Sequence, residues 1–266
     1  NAGAGTGPGW TPITTVPLDL PEEDEVPVSI RPGDTNAGLF GFVATANAGT
    51  NSIGLIQINP NRSTAVLPSV PAGSAPVEVV VADFNLDGED DIATVNRNSS
   101  SITIVLGATG PAPTLATGLP TELPVPAASS APRSIAAGDF DADANGDIDL
   151  AILADGAIKV LRNDLFNAQL AFTPIPDQPG GTAPLLVRAG DLNNAGRDDV
   201  VTIAESTGAL ALALNSAAGS GRMLSPVNIL LAEAPAPACV GDVNGDGGTN
   251  PADVVVPAGH FGGPVA

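Results

Sequence analysis

The stretch Val77 to Gly107, VEVVVADFNLDGEDDIATVNRNSSSITIVLG, decides the fold. A run rich in β-branched residues ends in an acidic loop, and a second apolar segment follows from Asp91 to Val95. The polar turn 96–100 leads to a third segment in which apolar and polar residues alternate. Such alternation is typical of a strand with one buried face. The stretch therefore predicts three consecutive strands, with the carboxylates between the first two.

The same pattern recurs along the chain. Residues 133–164 and 185–215 repeat it, residues 28–59 repeat it with an eroded acidic loop, and residues 239–256 repeat only its first part. The leading aspartates, separated by 49, 56, 52 and 51 residues, are Asp34, Asp83, Asp139, Asp191 and Asp242. A period near 50 residues is typical of one four-stranded propeller blade. The sequence predicts an all-β, propeller-like array of about five repeats.

The segments ADFNLDGEDDIATVN, from Ala82, and GDFDADANGDIDLAIL, from Gly138, carry a specific resemblance. Each resembles the FG-GAP/VCBS repeat, which is found in integrin α-subunit propellers and in many bacterial surface proteins. The resemblance spans roughly residues 28–256. We expect an N-terminal extension or strand at 1–27, propeller repeats at 28–238, and a last partial repeat or dockerin-like calcium segment at 239–266. It implies a β-propeller with calcium-binding loops, although family propellers usually contain more blades.

The short last repeat leaves two ways to complete the array. The segment Thr11 to Leu20 is a candidate strand that could fill the incomplete blade. Within one chain, this exchange closes a small propeller. Between chains, it builds a head-to-tail fibre by strand addition.

Calcium takes about six to eight oxygen ligands, and a loop with alternating carboxylates can supply them. In the loop 83–91 the acidic and amide side chains occupy positions 1, 3, 5 and 9, and Gly88 allows the chain to reverse. An Asx-rich turn without metal is the alternative interpretation. The predicted ligands of this loop are Asp83, Asn85, Asp87, Asp91 and, through the backbone carbonyl that the resemblance implies, Glu89.

Three further loops are predicted as calcium sites. In the next loop either Asp147, by count, or Asp149, by its context, closes the site. In the loop after that, Ala195 replaces the fifth-position ligand and Arg197 adds a positive charge, so that site is either weaker or lost. The last loop resembles both a further blade and the calcium repeat of a dockerin. The other candidate ligands in these loops are Asp139, Asp141, Asp143, Asp191, Asn193, Asp199, Asp242, Asn244, Asp246, Asn250 and Asp253.

Composition excludes several function classes. The formal net charge of −20 makes nucleic-acid binding and attraction to anionic lipid unfavourable. One cysteine allows no internal disulfide, and no apolar stretch reaches the roughly 18 residues that span a bilayer. The chain starts at Asn1 rather than Met, so removal of a leader is expected. The single histidine lies in a Gly-rich tail, and no catalytic set forms around it.

These observations predict a non-enzymatic, calcium-binding structural or adhesive protein, located outside the cell or at its surface. Its partner would be a second copy in a fibre, or an extracellular protein or glycan. The alternative is a carbohydrate- or protein-binding propeller module of a secreted bacterial protein. Asn61 and Asn98 lie in glycosylation sequons.

Overall fold

A computed structural model describes residues 27–35, 40–107, 121–125, 131–141, 146–164, 170–181, 183–204, 209–215 and 227–230. Within these ranges every regular element is a strand, and no helix is long and apolar enough to cross a membrane. The strands form four antiparallel sheets. The all-β prediction is therefore confirmed for the part of the chain that is described.

Each sheet is built from one sequence repeat. The first contains β1 (Pro27–Thr35), β2 (Phe40–Asn47), β3 (Ser52–Ile58) and β4 (Thr64–Pro71). The second contains β5 (Pro76–Ala82), β6 (Asp91–Asn96), β7 (Ser101–Val105) and β8 (Thr121–Pro124). The third contains β9 (Ser134–Gly138), β10 (Asp149–Ala154), β11 (Ala157–Asn163), β12 (Phe172–Pro174) and β13 (Gln178–Pro179). The fourth contains β14 (Pro184–Gly190), β15 (Asp199–Ala204), β16 (Ala209–Ala213) and β17 (Val227–Leu230).

Within each sheet the strands pair in chain order, as predicted for a propeller blade. The third sheet departs from the four-stranded prediction because β13 also pairs with β11. An ion pair accompanies this addition: Nζ of the buried Lys159 lies 2.6 Å from Oδ2 of Asp177, an exposed residue directly before β13. The pair holds this segment against the sheet edge.

Hydrophobic side chains fill the spaces between neighbouring sheets, because alternate residues of each central strand point to opposite faces. One core lies between the first and second sheets and includes Phe42, Leu55 and Val79. The next lies between the second and third sheets and includes Phe84 and Ile135. The last lies between the third and fourth sheets and includes Phe140, Leu153 and Val187. The four described sheets thus pack face to face in chain order, and among themselves they do not close into a ring.

The first strands of the four sheets are joined by a repeated hydrogen bond. In each of the first three sheets, a side-chain oxygen near the start of the first strand accepts a backbone N–H from the next sheet. The pairs are Ser29 Oγ with Val79 N at 3.3 Å, Glu78 Oε2 with Ile135 N at 3.1 Å, and Ser134 Oγ with Val187 N at 3.1 Å. This ladder fixes the order in which the sheets pack.

The buried carboxylate of Glu78 connects all four sheets. Its Oε1 lies 2.9 Å from Arg31 of the first sheet and 2.9 Å from Arg188 of the fourth. Its Oε2 also accepts the Ser134 hydroxyl at 2.5 Å. A buried charge requires such opposite charges and hydrogen bonds. The inner strands of the array therefore meet at one side chain.

Candidate metal centres

Three acidic loops each join the first two strands of a sheet. We call them loop 2 (residues 83–90, second sheet), loop 3 (residues 139–148, third sheet) and loop 4 (residues 191–198, fourth sheet). Residues 142–145 of loop 3 are outside the described ranges. Because successive sheets pack face to face, the three loops are neighbours.

Side-chain oxygens organise loop 2. The two carboxylate oxygens of Asp83 accept the backbone N–H groups of Asp87 at 3.1 Å and Gly88 at 2.8 Å. Asn85 Oδ1 accepts the Asp87 N–H at 2.9 Å, and Asn85 Nδ2 donates to Asp87 Oδ2 at 3.0 Å. The left-handed conformation of Gly88, with φ of 89°, reverses the chain. The loop therefore brings the predicted ligands at positions 1, 3 and 5 into one tight turn.

Loop 4 adopts the same turn with two acidic residues, where loop 2 has four. Asp191 accepts the N–H groups of Ala195 and Gly196, each at 2.9 Å, and Asn193 Oδ1 accepts the Ala195 N–H at 2.9 Å. These backbone hydrogen bonds hold the pKa of Asp191 below its ordinary value. Since the turn forms with Ala195 where loop 2 has Asp87, its backbone does not require the fifth-position carboxylate. Asp87 is then available for a different role.

Loop 3 brings three carboxylates together. One ligand oxygen from each of Asp139, Asp141 and Asp149 lies within 4.8 Å of the other two. Asp141 and Asp149 are buried. Arg162 Nε lies 3.6 Å from Asp141 Oδ2 and 2.7 Å from Asp164 Oδ1, so one guanidinium offsets part of the negative charge. The cluster has the size and donor type of a divalent-cation site.

A buried aspartate closes each loop in the same way. Oδ2 of Asp91, Asp149 and Asp199 accepts the N–H of the second loop residue, at 2.8, 2.9 and 3.1 Å. Oδ1 of the same aspartates accepts the N–H of a residue at or just beyond the end of the third strand of the sheet. These donors are Gly107, Asn163 and Asn215, at 2.6, 2.8 and 2.7 Å. This equivalence selects Asp149 over Asp147 as the closing residue of loop 3. Asp147 is buried beside it.

Burial also changes the protonation of the closing residues. Desolvation raises the pKa of Asp91 and of Asp149 from 3.8 to about 7, more than offsetting the backbone hydrogen bonds that lower it. Repulsion from Asp87 and Asp83 adds to the shift of Asp91, and repulsion from Asp141 and Asp147 adds to that of Asp149. A bound cation would relieve both effects and favour the charged carboxylates.

Some predicted residues lie outside the described ranges. These are Asp143 in loop 3 and the ligands predicted for the last loop, namely Asp242, Asn244, Asp246, Asn250 and Asp253. Glu89 is described, with its side chain buried and its N–H donated to Asp87 Oδ1 at 2.9 Å. Both sequon asparagines, Asn61 and Asn98, lie in exposed turns.

Sequence reasoning missed two residues that the structure places beside the loops. Asn163 and Asn215 are buried and donate their side-chain amides to loop carbonyls of the preceding sheet. Both stand at the end of an alternating apolar segment, IKVLRN and LALALN, and this shared position was the available signal.

Comparison with known protein families identifies one repeat in this chain. Residues 191–250 match the model of the FG-GAP-like repeat. No curated protein matches the chain. A functionally unknown protein from Desulfotomaculum acetoxidans is similar in structure, with a TM-score of 0.52 and 14% identity over 77% of this chain and 58% of that one. A candidate 6-phosphogluconolactonase from Bacteroides uniformis gives a TM-score of 0.50 and 14% identity over 76% of this chain and 56% of that one.

A more distant neighbour is the WD40 domain of SCAP from fission yeast, with a TM-score of 0.39 and 14% identity over 69% of this chain and 43% of that one. The chain thus spans little more than half the length of the better-matching structures. At this identity the likeness concerns the fold alone. Fold and site together define an all-β protein of propeller-like sheets that contains an FG-GAP-like repeat at residues 191–250. The dockerin-like interpretation of the C-terminal segment stays a prediction.

Proposed function

We propose that this chain is a non-enzymatic extracellular module whose acidic loops bind calcium. The observation that carries the proposal is the convergence of Asp139, Asp141 and Asp149 within 4.8 Å of one another. Carboxylate and amide oxygens are the donors that calcium prefers. Calcium would neutralise the loops of a chain with net charge −20 and hold successive sheets together.

The match of residues 191–250 to the FG-GAP-like repeat favours an extracellular location, since such repeats are typical of extracellular proteins. Extracellular calcium modules bind their ion with dissociation constants of about 0.1–1 mM. Loops with uncharged substitutions, such as Ala195 in loop 4, fit that weak range because affinity falls with the number of charged ligands. Calcium would then act as a structural component wherever its concentration reaches about 1 mM or more.

Thermal unfolding with calcium and with EDTA tests the proposal. Calcium at 100 times its dissociation constant stabilises a folded protein by about 2.7 kcal/mol, or about 5–10 °C for a domain of this size. Asp141→Asn should reduce this gain. The matched control is Asp155→Asn, because Asp155 is an exposed turn residue whose φ of 56° suits asparagine equally well.

Equal melting temperatures of the wild-type protein in calcium and in EDTA would overturn the proposal. If both variants lose the stabilisation by calcium equally, the stabilising ion does not bind in loop 3. Magnesium in place of calcium should stabilise less, because it requires near-octahedral geometry and gives up its water reluctantly.

A second candidate function is self-assembly into a fibre, and the ends of the array favour it. Ile30 of the first sheet is 60% exposed, whereas Val79, Ile135 and Val187 at the same repeat position are fully buried against the preceding sheet. Leu192 and Ile203 of the fourth sheet are 57% and 41% exposed, whereas their counterparts are buried against a following sheet. These counterparts are Phe84, Phe140, Val95 and Leu153.

We name these surfaces the first face (Ile30, Ile58 and Val66) and the last face (Leu192 and Ile203). The internal sheet interfaces pair surfaces of the same two kinds. A second copy of the chain would therefore continue the stacking, with its first face on the last face of its neighbour. Such a heterologous contact extends into a fibre when it does not close. Strand addition by the segment Thr11 to Leu20, which lies outside the described residues, would reinforce this contact.

The alternative of a carbohydrate- or protein-binding module stays a prediction, as does the absence of enzymatic activity. The activity in the name of the candidate lactonase is not transferred, because a similarity of 14% identity concerns the fold alone. A glycan array with the calcium-loaded protein would test the carbohydrate-binding alternative.

A further inference from the structure

Two buried asparagines connect neighbouring acidic loops. Asn163 Nδ2 of the third sheet donates to the Phe84 carbonyl in loop 2 at 2.8 Å, and Asn215 Nδ2 of the fourth sheet donates to the Phe140 carbonyl in loop 3. Each Nδ2 also donates at 3.3 Å to the last residue of its own loop, to the carbonyl of Ile148 or of Asp198. One amide nitrogen therefore holds two loops.

The main chain of the same residues contacts the closing aspartates. Phe84 N donates to Asp91 Oδ2 at 2.8 Å, and Asn163 N donates to Asp149 Oδ1 at 2.8 Å. A continuous path of hydrogen bonds thus joins the carboxylate that closes loop 2 to the one that closes loop 3. Phe140 and Asn215 extend it to Asp199 through hydrogen bonds of 2.9 and 2.7 Å to the closing carboxylates.

These asparagines occur only where the neighbouring described sheet has an acidic loop with a closing aspartate. The strand register identifies the equivalent residues in the first two sheets. In the second sheet, Gly107 stands at the position of these asparagines. In the first sheet, Phe42 stands at the position that a closing aspartate takes in the other three sheets. The asparagine thus occurs in the third and fourth sheets, and each of these follows a sheet that has a closing aspartate. Among the described residues, its Oδ1 has no hydrogen-bond partner in either case, although both side chains are buried. An apolar residue would avoid that unpaired oxygen, so the donor function of Nδ2 explains the choice.

We propose that Asn163 and Asn215 couple the acidic loops, so that calcium bound in one loop raises the calcium affinity of its neighbour. This rests on the proposed calcium binding. An ion in loop 3 fixes Asp149, whose Oδ1 holds Asn163 N, and Asn163 in turn holds the Phe84 carbonyl of loop 2. Loop 2 then requires less ordering when its own ion binds, which is positive cooperativity.

The coupling is expected to be stronger between loops 3 and 4. There a second connection supplements Asn215, since Asp198 N donates to the Asp139 carbonyl at 2.8 Å and Asp198 Oδ2 accepts the Asp139 N–H at 3.0 Å. The candidate ligand Asp139 is thereby held at both backbone groups by the neighbouring loop.

A mutant cycle followed by NMR tests the coupling in the whole chain. The amide signal of Gly88 reports calcium binding in loop 2, and Asp141→Asn weakens the site in loop 3. We expect Asp141→Asn to lower the affinity reported by Gly88 by at least about five-fold. In a chain that also carries Asn163→Ala, this effect should fall below about two-fold. A general loss of stability would not remove the effect of Asp141→Asn on calcium binding at Gly88, so this readout tests the positioning role of Asn163.

Asn96→Ala is the matched control. Asn96 is a buried asparagine whose Oδ1 likewise has no partner within the part of the chain that the structure describes, but its Nδ2 donates to Ser101 and Thr103 of its own sheet. The control should leave the effect of Asp141→Asn on Gly88 intact. If Asn163→Ala does not fold, the cycle is repeated with Asn215→Ala and the Gly196 signal of loop 4.

The outcomes separate the two proposals. If no loop signal of the wild-type protein shifts with calcium, the proposed function is wrong. If the signals shift but Asp141→Asn affects Gly88 equally with and without Asn163, calcium binding stands and the coupling is refuted. The same conclusion follows if Asn96→Ala abolishes the effect as fully as Asn163→Ala.

Discussion

At the scale of the residue, the closing aspartates combine two tasks. Asp91, Asp149 and Asp199 each use both carboxylate oxygens to hold backbone N–H groups that belong to different parts of their sheet. A carboxylate has about four lone-pair sites, so oxygen capacity is left for a cation. The hydrogen bonds thus limit the positions that the carboxylate can take before an ion binds, and this lowers the ordering cost of binding.

The raised pKa of Asp91 and Asp149 predicts an inverted pH dependence in the metal-free protein. Their folded pKa of about 7 exceeds the ordinary value of 3.8, so the folded state retains protons that the unfolded chain releases. Their contribution to stability is fully present below about pH 4 and is lost as the pH rises through about 7. In EDTA the melting temperature should fall from about pH 5 to about pH 8.

Calcium should reverse this trend for these groups, because it binds the ionised carboxylates. Asp91→Asn is the control, since it removes one titrating group and leaves the rest of the acidic surface unchanged. Its melting temperature in EDTA should fall less steeply over the same pH range. Parallel slopes for the variant and the wild-type protein would show that Asp91 does not cause the decline.

At the scale of the element, the first strand of each sheet and the loop after it form a unit that must approach its neighbour closely. Gly138 ends β9 at the point where Asp198 of loop 4 contacts Asp139. A Cβ atom on Gly138 would lie 2.5 Å from Asp198 Oδ2. Gly190 ends β14 at the same repeat position, and a Cβ atom there would meet nothing within 4 Å.

This difference predicts opposite results for two identical substitutions. Gly138→Ala should destabilise the protein by about 1–3 kcal/mol, because the Asp198 carboxylate must move away and release the Asp139 N–H. Gly190→Ala should be neutral or stabilise slightly, since alanine reduces the entropy of the unfolded chain. Urea unfolding of both variants provides the measurement. Equal losses would mean that the close approach of loops 3 and 4 does not contribute to stability.

At the scale of the whole molecule, the stability of the array is distributed over the spaces between sheets. Each core requires two sheets, so the outer surfaces of the first and fourth sheets keep the apolar side chains that internal sheets bury. On β4, Leu67 packs into the core with the second sheet, so its neighbour Val66 points to the opposite side and is exposed. Both ends of the array are therefore suited to contact another apolar sheet.

Charges placed on these ends should control assembly. We expect the wild-type protein to form oligomers at high concentration, and Ile30→Asp and Ile203→Asp each to sediment as monomers because one face is blocked. A mixture of the two variants should form dimers, because one supplies an intact last face and the other an intact first face. Sedimentation velocity distinguishes these species.

Ala171→Asp is the charge control, because Ala171 is exposed directly before β12 of the third sheet and belongs to neither face. It should assemble like the wild-type protein. A monomeric wild-type protein at every concentration would contradict the fibre hypothesis.

Much of this architecture could be predicted from local sequence. The segment around Val77 to Ala82 predicts β5, which starts one residue earlier at Pro76, and the segment from Asp91 to Val95 predicts β6, which ends one residue later at Asn96. Strand periodicity, turn residues and the acid pattern of loop 2 are all read within a few residues, and the sequence therefore determined the all-β class, the repeats and the candidate ligands. The physical reason is that side-chain alternation and Asx turns depend on near neighbours in the chain.

Only the tertiary structure decided which residues meet across sheets. Asn163 lies 79 residues from Phe84, and Glu78 meets Arg188 of a sheet two repeats away. Such contacts leave no local pattern, because they depend on how completed sheets pack. The choice of Asp149 over Asp147 is of the same kind, since it follows from an N–H that arrives from Asn163 at the far end of another strand. Local periodicity specifies the strands, whereas burial between sheets specifies their partners.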